Sequence, residues 1–492
     1  MKKIIATALT LGLAVGTLAA CTPSTPATTD ASKDTKATEA SKDTEASKDT
    51  EATKPEEDNI LNVWTFTDEV QGFVADYMKS HPDVAAKYEV KKTVIATTEG
   101  AYQPALDQAL AAGGADAPDL YCAESAFVFK YTTGSASQYA ATYKSLGIDV
   151  DKELGESKNA DYTVELGTRK SDGEIVGLNF QATGGAFIYR RSIAKDVFGT
   201  DDPDAIAKEV GPGWDKFFEA AKKLKEKNYV ICSGDGDVWH AVEGSSEKGW
   251  LDADGKLIID PAREKFLDYS KMMIDEGYCN DTSDWTEAWF ADMAGTGPKG
   301  CFGFFGPAWL INYTMGDNCG SWVPTGEKDA DGNDIKKLDT SVGTYGDWAI
   351  CTSPVGFFWG GTWVLANKDT DKAALCGDII RYITLDTSKD GIQYKFANGL
   401  LNDKGTKDTV ASATVTAISD GKVDFLGGQD MLTVYAPAQA YATAKNKTES
   451  DEDINSVWRD QVRQYAHGDK SREQAIADFK STVNDKYGIE AA

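Results

Sequence analysis

The residues that could carry chemistry in this sequence are tryptophans and carboxylates. Indole faces stack on flat apolar ligand surfaces, and carboxylates accept hydrogen bonds from ligand hydroxyl groups. The chain contains 12 Trp, 20 Tyr and 19 Phe in 492 residues, more aromatic side chain than core packing demands. Several tryptophans stand near glycines in segments typical of loops: Trp239, Trp309, Trp348 and Trp359. This pattern favours noncovalent recognition of a small ligand.

Motifs for catalysis or metal binding are missing from the sequence. The three histidines, His81, His240 and His467, are far apart, and no His-Glu-x-x-His or Cys-x-x-Cys spacing occurs. Segments 252–255 and 329–334 are similar to calcium loops, but position twelve of the second is Thr340 rather than Glu, which favours surface turns. No nucleophile elbow or phosphate loop is present. We therefore expect no cofactor and no bound metal.

The first elements of the body alternate between strand and helix. Strands are predicted at 59–66, 88–97 and 117–122, with helices at about 69–78 and at 102–112 between them. Such alternation predicts a parallel sheet covered on both faces, and ligands of such sheets bind beyond the carboxyl ends of the strands. That rule selects six residues by position: Asp68, Glu69, Thr98, Glu99, Glu124 and Ser125.

A glycine pair interrupts the strand pattern after a predicted hairpin at 171–173. Thr183, Gly184 and Gly185 separate the apolar run 174–180 from the next one at 186–191. A glycine pair in a strand pattern marks a bend or a close backbone approach, and we interpret it as a hinge crossing between two lobes. The alternative is a bulge within one continuous sheet.

Four later helices are predicted from amphipathic spacing and caps, at 214–227, 261–277, 371–384 and from 472 onward.

The N-terminus is typical of export. Residues 1–20 combine a basic start, an apolar stretch and small residues, too short for a confident membrane span, and Leu18-Ala19-Ala20-Cys21 is similar to the lipobox of bacterial lipoproteins. We expect cleavage before Cys21 and lipid modification of its thiol; an ordinary secretory signal is the alternative. Residues 21–59 hold this cysteine and a polar near-repeat without Val, Ile, Leu or aromatic residues, which predicts a disordered tether. A tether above a membrane favours a Gram-positive cell surface.

Net charge and cysteine content limit the possible binding partners and the possible disulfide bonds. With 78 acidic and 51 basic residues the formal charge is −27, so nucleic acid and anionic lipid are poor partners. Besides Cys21 an odd number of cysteines remains, which excludes a full disulfide framework. We expect buried free thiols, with one or two bridges as the alternative, at Cys122, Cys232, Cys279, Cys301, Cys319, Cys351 and Cys376.

A set of segments in a fixed order resembles a known family. After the lipobox and tether these are 63–66 (Val-Trp-Thr-Phe), 117–120 (Ala-Pro-Asp-Leu), the Asp172-Gly173 hairpin, 187–191 (Phe-Ile-Tyr-Arg-Arg), the helix opening with Trp214, 304–309 (Phe-Phe-Gly-Pro-Ala-Trp) and 360–365 (Gly-Gly-Thr-Trp-Val-Leu). The order over residues 60–492 resembles family 1 of the bacterial extracellular solute-binding proteins. These are the sugar-binding lipoproteins of ABC importers, related to maltose-binding protein.

The resemblance implies an α/β fold of two lobes, with hinge strands and an interlobe cleft, as in periplasmic binding proteins. The first lobe would comprise 60–182 and 353–400, and the second 183–352 and 401–492. A monomer would capture a carbohydrate, expected to be an oligosaccharide, in the cleft without catalysis. It would deliver the ligand to the permease subunits of an ABC transporter and contact the membrane only through its lipid anchor.

The resemblance and the chemistry of sugars together suggest site residues. A pyranose offers an apolar face and a fringe of hydroxyls, so it needs aromatic platforms with carboxylates beside them. We predict Trp309 and Trp359 as platforms, followed by Trp239. The predicted hydroxyl partners are Asp68, Glu124, Asp235 and Asp237, and the remaining candidates are Glu69, Thr183 and Trp348.

Two other classes stay open at this point. An exported glycoside hydrolase needs only two carboxylates about 5–9.5 Å apart, which counting acids does not exclude. A binding protein for a charged solute such as a polyamine would suit the acidity, although the tryptophan-rich loops favour sugar.

Overall fold

The computed structural model describes residues 59–97, 100–328, 332–402 and 404–492. The predicted export signal, Cys21 and the tether up to residue 58 lie outside the described residues, as do Thr98 and Glu99. In the described part of the chain, no helix is both long and apolar enough to cross a membrane.

Twelve strands form within the described residues. They are β1 Ile60–Thr65, β2 Glu89–Val94, β3 Leu120–Glu124, β4 Gly177–Asn179, β5 Ala186–Arg190, β6 Tyr229–Val230, β7 Gly300–Cys301, β8 Gly303–Gly306, β9 Ser321–Lys328, β10 Asp334–Asp339, β11 Trp348–Cys351 and β12 Thr362–Ala366.

Helices make up most of the remaining secondary structure in the described ranges. They are α1 Glu69–Ser80, α2 Pro82–Ala85, α3 Tyr102–Ala112, α4 Val128–Thr132, α5 Val150–Ser157, α6 Asp161–Gly167, α7 Arg191–Phe198, α8 Pro203–Val210, α9 Trp214–Glu226, α10 Asp235–Ser245, α11 Pro261–Asp275, α12 Glu287–Ala294, α13 Ala308–Leu310, α14 Gly316–Asn318, α15 Ala373–Thr384, α16 Ile392–Ala397, α17 Ala413–Thr416, α18 Leu432–Ala438, α19 Asp451–Ala466 and α20 Arg472–Tyr487. A π-helical turn, Ile311–Met315, joins α13 to α14.

The first sheet has five strands in the order β2-β1-β3-β12-β4. Strand β1 is parallel to β2 and β3, as predicted from the alternating pattern, whereas β12 is antiparallel to both β3 and β4. Alternate residues of its strands enter different cores. On β12, Val364 packs on one face with α1 and α15, and Trp363 packs on the other face with α3. Helices therefore cover both faces, which explains why the inner strands β3 and β12 are buried along almost their whole length.

The second sheet consists of β11, β5 and β8, all antiparallel, and the short pair β6 and β7 adjoins it. Its strands also alternate between two cores. Phe187 and Ala349 face the core formed with α9, α11 and α19, while Ile188 and Trp348 face the core formed with α12 and α18. The two sheets are the centres of the two lobes.

The glycine pair lies where the chain crosses between the lobes. Strand β4 belongs to the first sheet and β5 to the second, so the predicted hinge crossing is confirmed and the single-sheet alternative is wrong. The backbone N–H of Gly185 donates to the carbonyl of Phe357 at 2.9 Å, where the chain crosses a second time. A Cβ on Gly185 would lie 2.0 Å from the Phe357 ring, so close packing explains this glycine.

The hydrophobic cores also indicate where later parts of the chain cross from one lobe to the other. Phe357 packs in a core of the second sheet, and Val410 and Val415 pack in a core of the first. The predicted second-lobe segment 401–492 thus begins with residues that pack on the first sheet, because α17 lies against α5 and α16. The exact lobe boundaries stay predictions, and we propose that this last crossing falls between Val415 and Phe425.

All seven cysteines of the described residues are buried and free, as predicted. Burial raises the pKa of each thiol, for example at Cys122, Cys351 and Cys376. Packing rather than covalent bridges therefore holds the described lobes together.

Candidate functional site

A cavity of about 960 Å³ lies between the lobes, and we call it the main cavity. Its first-lobe wall is formed by the residues after β1, by α1 and by the residues that lead into β12. Its second-lobe wall carries Trp285, Trp309 and Tyr313. The cavity thus opens at the carboxyl end of β1, where the parallel-sheet rule placed the site.

Three indoles, Trp285, Trp309 and Trp359, form the surface that we call the tryptophan wall. The rings of Trp285 and Trp309 are nearly parallel, with 7° between their planes and 6.1 Å between their centroids. The ring of Trp359 makes an angle of 68° with each of them, at centroid distances of 4.6 Å from Trp309 and 6.0 Å from Trp285. The wall offers apolar faces in two orientations to a ligand in the main cavity.

Trp309 is held by the backbone of the second crossing. Strand β8 ends at Gly306, and Trp309 is the second residue of α13. Its Nε1 donates a hydrogen bond to the carbonyl oxygen of Trp359 at 2.9 Å. Gly360 has a φ of +79°, and a Cβ there would lie 2.9 Å from Nε1 of Trp309. The glycine is therefore required by its left-handed backbone and by the approach of the indole.

Trp359 is fixed from two sides. Its backbone N–H donates to the carbonyl of Thr183 at 3.1 Å, and its ring stacks on His240 of α10 at 3.6 Å between centroids. Burial lowers the pKa of His240, which favours a neutral imidazole. Nε2 of His240 lies 3.4 Å from Oδ2 of Asp284, and Arg459 donates to Oδ1 of the same carboxylate at 2.7 Å.

Trp285 was not predicted as a site residue. It adopts a φ of +64°, uncommon for a bulky residue, and 54% of its surface is exposed. It precedes Thr286, whose hydroxyl caps α12 by accepting from the Trp289 N–H at 3.3 Å. The capping pattern could have located the helix start, but only the fold brings Trp285 to Trp309. A strained and exposed aromatic residue in a cleft is typical of a functional position.

The predicted carboxylates Asp68, Glu69 and Glu124 all line the main cavity. The hydroxyl of Tyr313, in the π-helical turn, donates to Oε1 of Glu69, so the two lobes touch across the cleft. Desolvation raises the pKa of Glu69 to about 7, although the hydrogen bond from Tyr313 opposes this shift. Sequence reasoning missed Tyr313, because its exposure depends on the π-helical turn.

A second contact between the lobes lies beside Tyr313. Nδ2 of Asn312 donates to the carbonyl of Lys407 at 2.7 Å and to Oδ2 of Asp408 at 3.1 Å. Nε2 of Gln181, which lines the main cavity, donates to the same carboxylate oxygen at 3.2 Å. Burial raises the pKa of Asp408 to about 6.

A second cavity of about 490 Å³, the polar chamber, adjoins the main cavity. Glu124 and Trp359 line both spaces, which are therefore direct neighbours. The predicted residues Asp235 and Trp239 line the polar chamber, as does Ser125. Trp239 is only 2% exposed and packs mainly in the second-lobe core, so it offers an edge rather than a platform.

Three predicted site residues are buried away from both cavities, which corrects the sequence prediction. Asp237 accepts from the N–H groups of Ser233 and Gly234 and from Nε1 of Trp289, and burial raises its pKa to about 8. Thr183 donates its hydroxyl to the Gly360 carbonyl at 2.8 Å. Trp348 begins β11 and packs in the core.

The described residues contain no group of three or more His, Cys, Asp or Glu side chains placed to hold a metal ion. The cleft instead combines aromatic faces with hydrogen-bonding carboxylates and amides. Such a surface can bind a ligand that has both apolar faces and polar edges.

A family model supports this interpretation. Residues 64–308 match the model described as bacterial extracellular solute-binding protein. No curated protein matches the sequence.

Solved structures share the fold over almost their whole length. An extracellular solute-binding protein of family 1 has a TM-score of 0.67 and 18% identity, covering 87% of this chain and 99% of its own. The galacto-N-biose-/lacto-N-biose I-binding protein of the ABC transporter from Bifidobacterium longum has a TM-score of 0.63 and 14% identity, with coverages of 88% and 98%. The sugar-binding protein MalE from Xanthomonas citri has a TM-score of 0.60 and 15% identity, with coverages of 87% and 96%. The two-lobed fold predicted from the sequence is confirmed.

We predict that Gly360→Ala destabilises the protein by about 1–2 kcal/mol, because alanine is strained at positive φ. The new Cβ would also push Nε1 of Trp309 from its acceptor, so ligand affinity should fall roughly threefold to tenfold. Denaturant unfolding and calorimetric titration measure the two effects. Gly346→Ala is the matched control, because Gly346 has a φ of +80° and a Cβ there would lie 3.9 Å from its nearest neighbour, the Asp424 carbonyl oxygen. Equal affinities of the two variants would contradict the role of Gly360.

We also predict that the stability contributed by Glu69 depends on pH. Its folded pKa of about 7 exceeds the ordinary value of 4.5, so the folded chain holds a proton that the unfolded chain releases. This contribution is fully present below pH 4.5 and is lost as pH rises toward 7. The advantage of the wild type over Glu69→Gln should therefore shrink by about 1–3 kcal/mol between about pH 5 and 8. Denaturant unfolding measures it, with exposed Glu89→Gln as control; parallel pH profiles for wild type and Glu69→Gln would refute it.

Proposed function

We propose that this chain, which belongs to the bacterial extracellular solute-binding proteins, captures an oligosaccharide in its cleft and delivers it to the permease of an ABC transporter. The observation that carries the proposal is the tryptophan wall beside the carboxylates of the main cavity. Indole faces suit the apolar faces of pyranose rings, and carboxylates suit their hydroxyl groups. The Bifidobacterium longum and Xanthomonas citri proteins of the same fold are named as sugar-binding.

Binding would select a closed form of the two lobes. Ligand in the main cavity meets Asp68 and Glu124 of the first lobe together with Trp285 and Trp309 of the second. A ligand that contacts both lobes stabilises the conformation in which both contacts are made. The closed form, acting as a monomer, would then be what the permease binds.

The family places the protein outside the cytoplasm, and we propose a lipid anchor there. Cleavage before Cys21 would make it the N-terminal residue, its thiol would carry the lipid, and residues 22–59 would act as a tether. Several acyl chains at about 0.8 kcal/mol per buried CH₂ hold a protein on a membrane without a spanning helix. A long tether suits the thick wall of a Gram-positive cell.

The proposed activity is binding without turnover. The matching family and the similar structures are binding proteins. Incubating the chain from residue 22 onward with oligosaccharides and assaying new reducing ends separates it from an exported glycoside hydrolase. Release of reducing ends would refute the proposal.

We predict that Trp309→Ala and Trp359→Ala each weaken sugar binding at least about tenfold, because each removes a stacking face from the cleft. Binding is measured by titration calorimetry and by tryptophan fluorescence, with a sugar found in a thermal-shift screen of carbohydrates. Wild-type affinity in both variants would remove the site assignment.

The matched control is Tyr441→Ala. Tyr441 is 65% exposed and lines neither the main cavity nor the polar chamber. Loss of this aromatic side chain should leave sugar affinity unchanged, so a loss of affinity there would show that the assay reports general destabilisation.

A further inference from the structure

The polar chamber carries more carboxylates than basic groups. Besides His240, three basic side chains line it, and each already has a carboxylate partner: Lys447 contacts Glu243, Arg459 donates to Asp284 at 2.7 Å, and Arg463 donates to Asp281 at 2.9 Å. Seven acids line the chamber: Glu124, Asp235, Glu243, Asp284, Asp451, Glu452 and Asp460. A chamber with this excess of negative charge favours a positively charged group in the ligand.

Two of these carboxylates come from opposite lobes. Glu124 ends β3 of the first lobe, and Glu452 is the second residue of α19 in the second lobe. Among the described residues, neither carboxylate forms a salt bridge with a Lys, Arg or His nitrogen within 4.0 Å. The charge of Glu452 and, above all, burial raise the pKa of Glu124. The chamber therefore holds two like charges from opposite lobes, and the charge of Lys447, which opposes the rise in the pKa of Glu124, compensates them only in part.

Glu124 and Glu452 accept hydrogen bonds only from uncharged donors, and these bonds do not use all of their oxygen lone pairs. Glu124 accepts from the Ser125 hydroxyl at 2.8 Å and from the Ala126 N–H at 2.7 Å, and Glu452 accepts from Nε2 of Gln103 at 3.3 Å. An ionised carboxylate has about four lone-pair sites. A multivalent donor between the two carboxylates would use those that remain.

An independent observation concerns Asp451, which also lines the polar chamber. This residue is only 2% exposed, and its Oδ1 accepts from the Thr448 hydroxyl at 2.6 Å. Its Oδ2 has no hydrogen-bond partner among the described residues. Buried acceptors in native proteins are nearly always paired, so this oxygen lacks a donor that a ligand can supply.

We propose that the ligand is an amino sugar, with its ammonium group in the polar chamber and its ring on the tryptophan wall. This inference rests on the proposed function and specifies its substrate class. An ammonium group offers three donors, which suits Glu124, Asp451 and Glu452 around one chamber. Trp359 lines both cavities, and a cation near an indole face gains further stabilisation. Neutralising Glu124 and Glu452 also removes their repulsion when the lobes close.

The test is titration calorimetry of the chain from residue 22 onward with matched sugars. Glucosamine, galactosamine and β-1,4-linked glucosamine di- and trisaccharides are compared with glucose, galactose and the corresponding cello-oligosaccharides, in which a hydroxyl replaces the amine. The titrations are run at about pH 6, below the ordinary pKa of an amine. We expect an amino sugar to bind at least about tenfold more tightly than its neutral counterpart.

The variant Glu452→Gln removes one of the opposed charges without changing shape. It should reduce the preference for the amino sugar over its neutral counterpart at least about threefold. Asp485→Asn is the matched control, because Asp485 is an exposed acid of α20 that lines neither cavity. It should keep the full preference.

The outcomes separate this inference from the proposed function. Neutral sugars that bind as tightly as amino sugars would overturn the amine assignment and leave carbohydrate binding standing. Binding of spermidine with no binding of any sugar would overturn carbohydrate capture. A preference that persists unchanged in Glu452→Gln would refute the role of the polar chamber.

Discussion

The hydrogen bond from the Trp309 indole to the Trp359 carbonyl is the interaction on which the cleft depends. It joins the first helical turn after β8 to the segment that crosses between the lobes before β12. The bond forms only because residue 360 is glycine, since a Cβ would lie 2.9 Å from the indole nitrogen. The bond fixes the angle between the indoles of Trp309 and Trp359, and the ring of His240 stacks on the ring of Trp359. The aromatic surface is therefore built into the hinge, and lobe movement and ligand contact involve the same residues.

Polar and charged side chains of the two lobes also interact across the cleft. Hydrogen bonds from Tyr313 to Glu69 and from Asn312 to Asp408 draw the lobes together, whereas Glu124 and Glu452 repel each other. A receptor that delivers its ligand needs open and closed forms that differ by only a few kcal/mol. Attractive contacts opposed by one repulsive pair suit that requirement. A cationic ligand in the polar chamber would reduce the repulsion, so that binding and closure would favour each other.

Local patterns predicted much of the fold and part of the cleft. Helix α3 was predicted at its observed bounds, Ser471 caps α20 as expected, and the strand-end rule located Asp68 and Glu124. Trp348 was misplaced because a Gly-Asp turn before it is typical of a loop, yet its ring faces a core. Trp285 and Tyr313 reach the cleft through long-range packing and a π-helical turn, which no short sequence pattern encodes.

The central claim is that two lobes enclose a carbohydrate against indole faces. A crystal structure of the protein with a bound sugar tests it most directly. We expect electron density for a sugar ring stacked on Trp309 or Trp359, with hydrogen bonds to Asp68, Glu69 or Glu124 and contacts from both lobes. A sugar bound outside this cleft, or held by one lobe without contact to an indole, would contradict it.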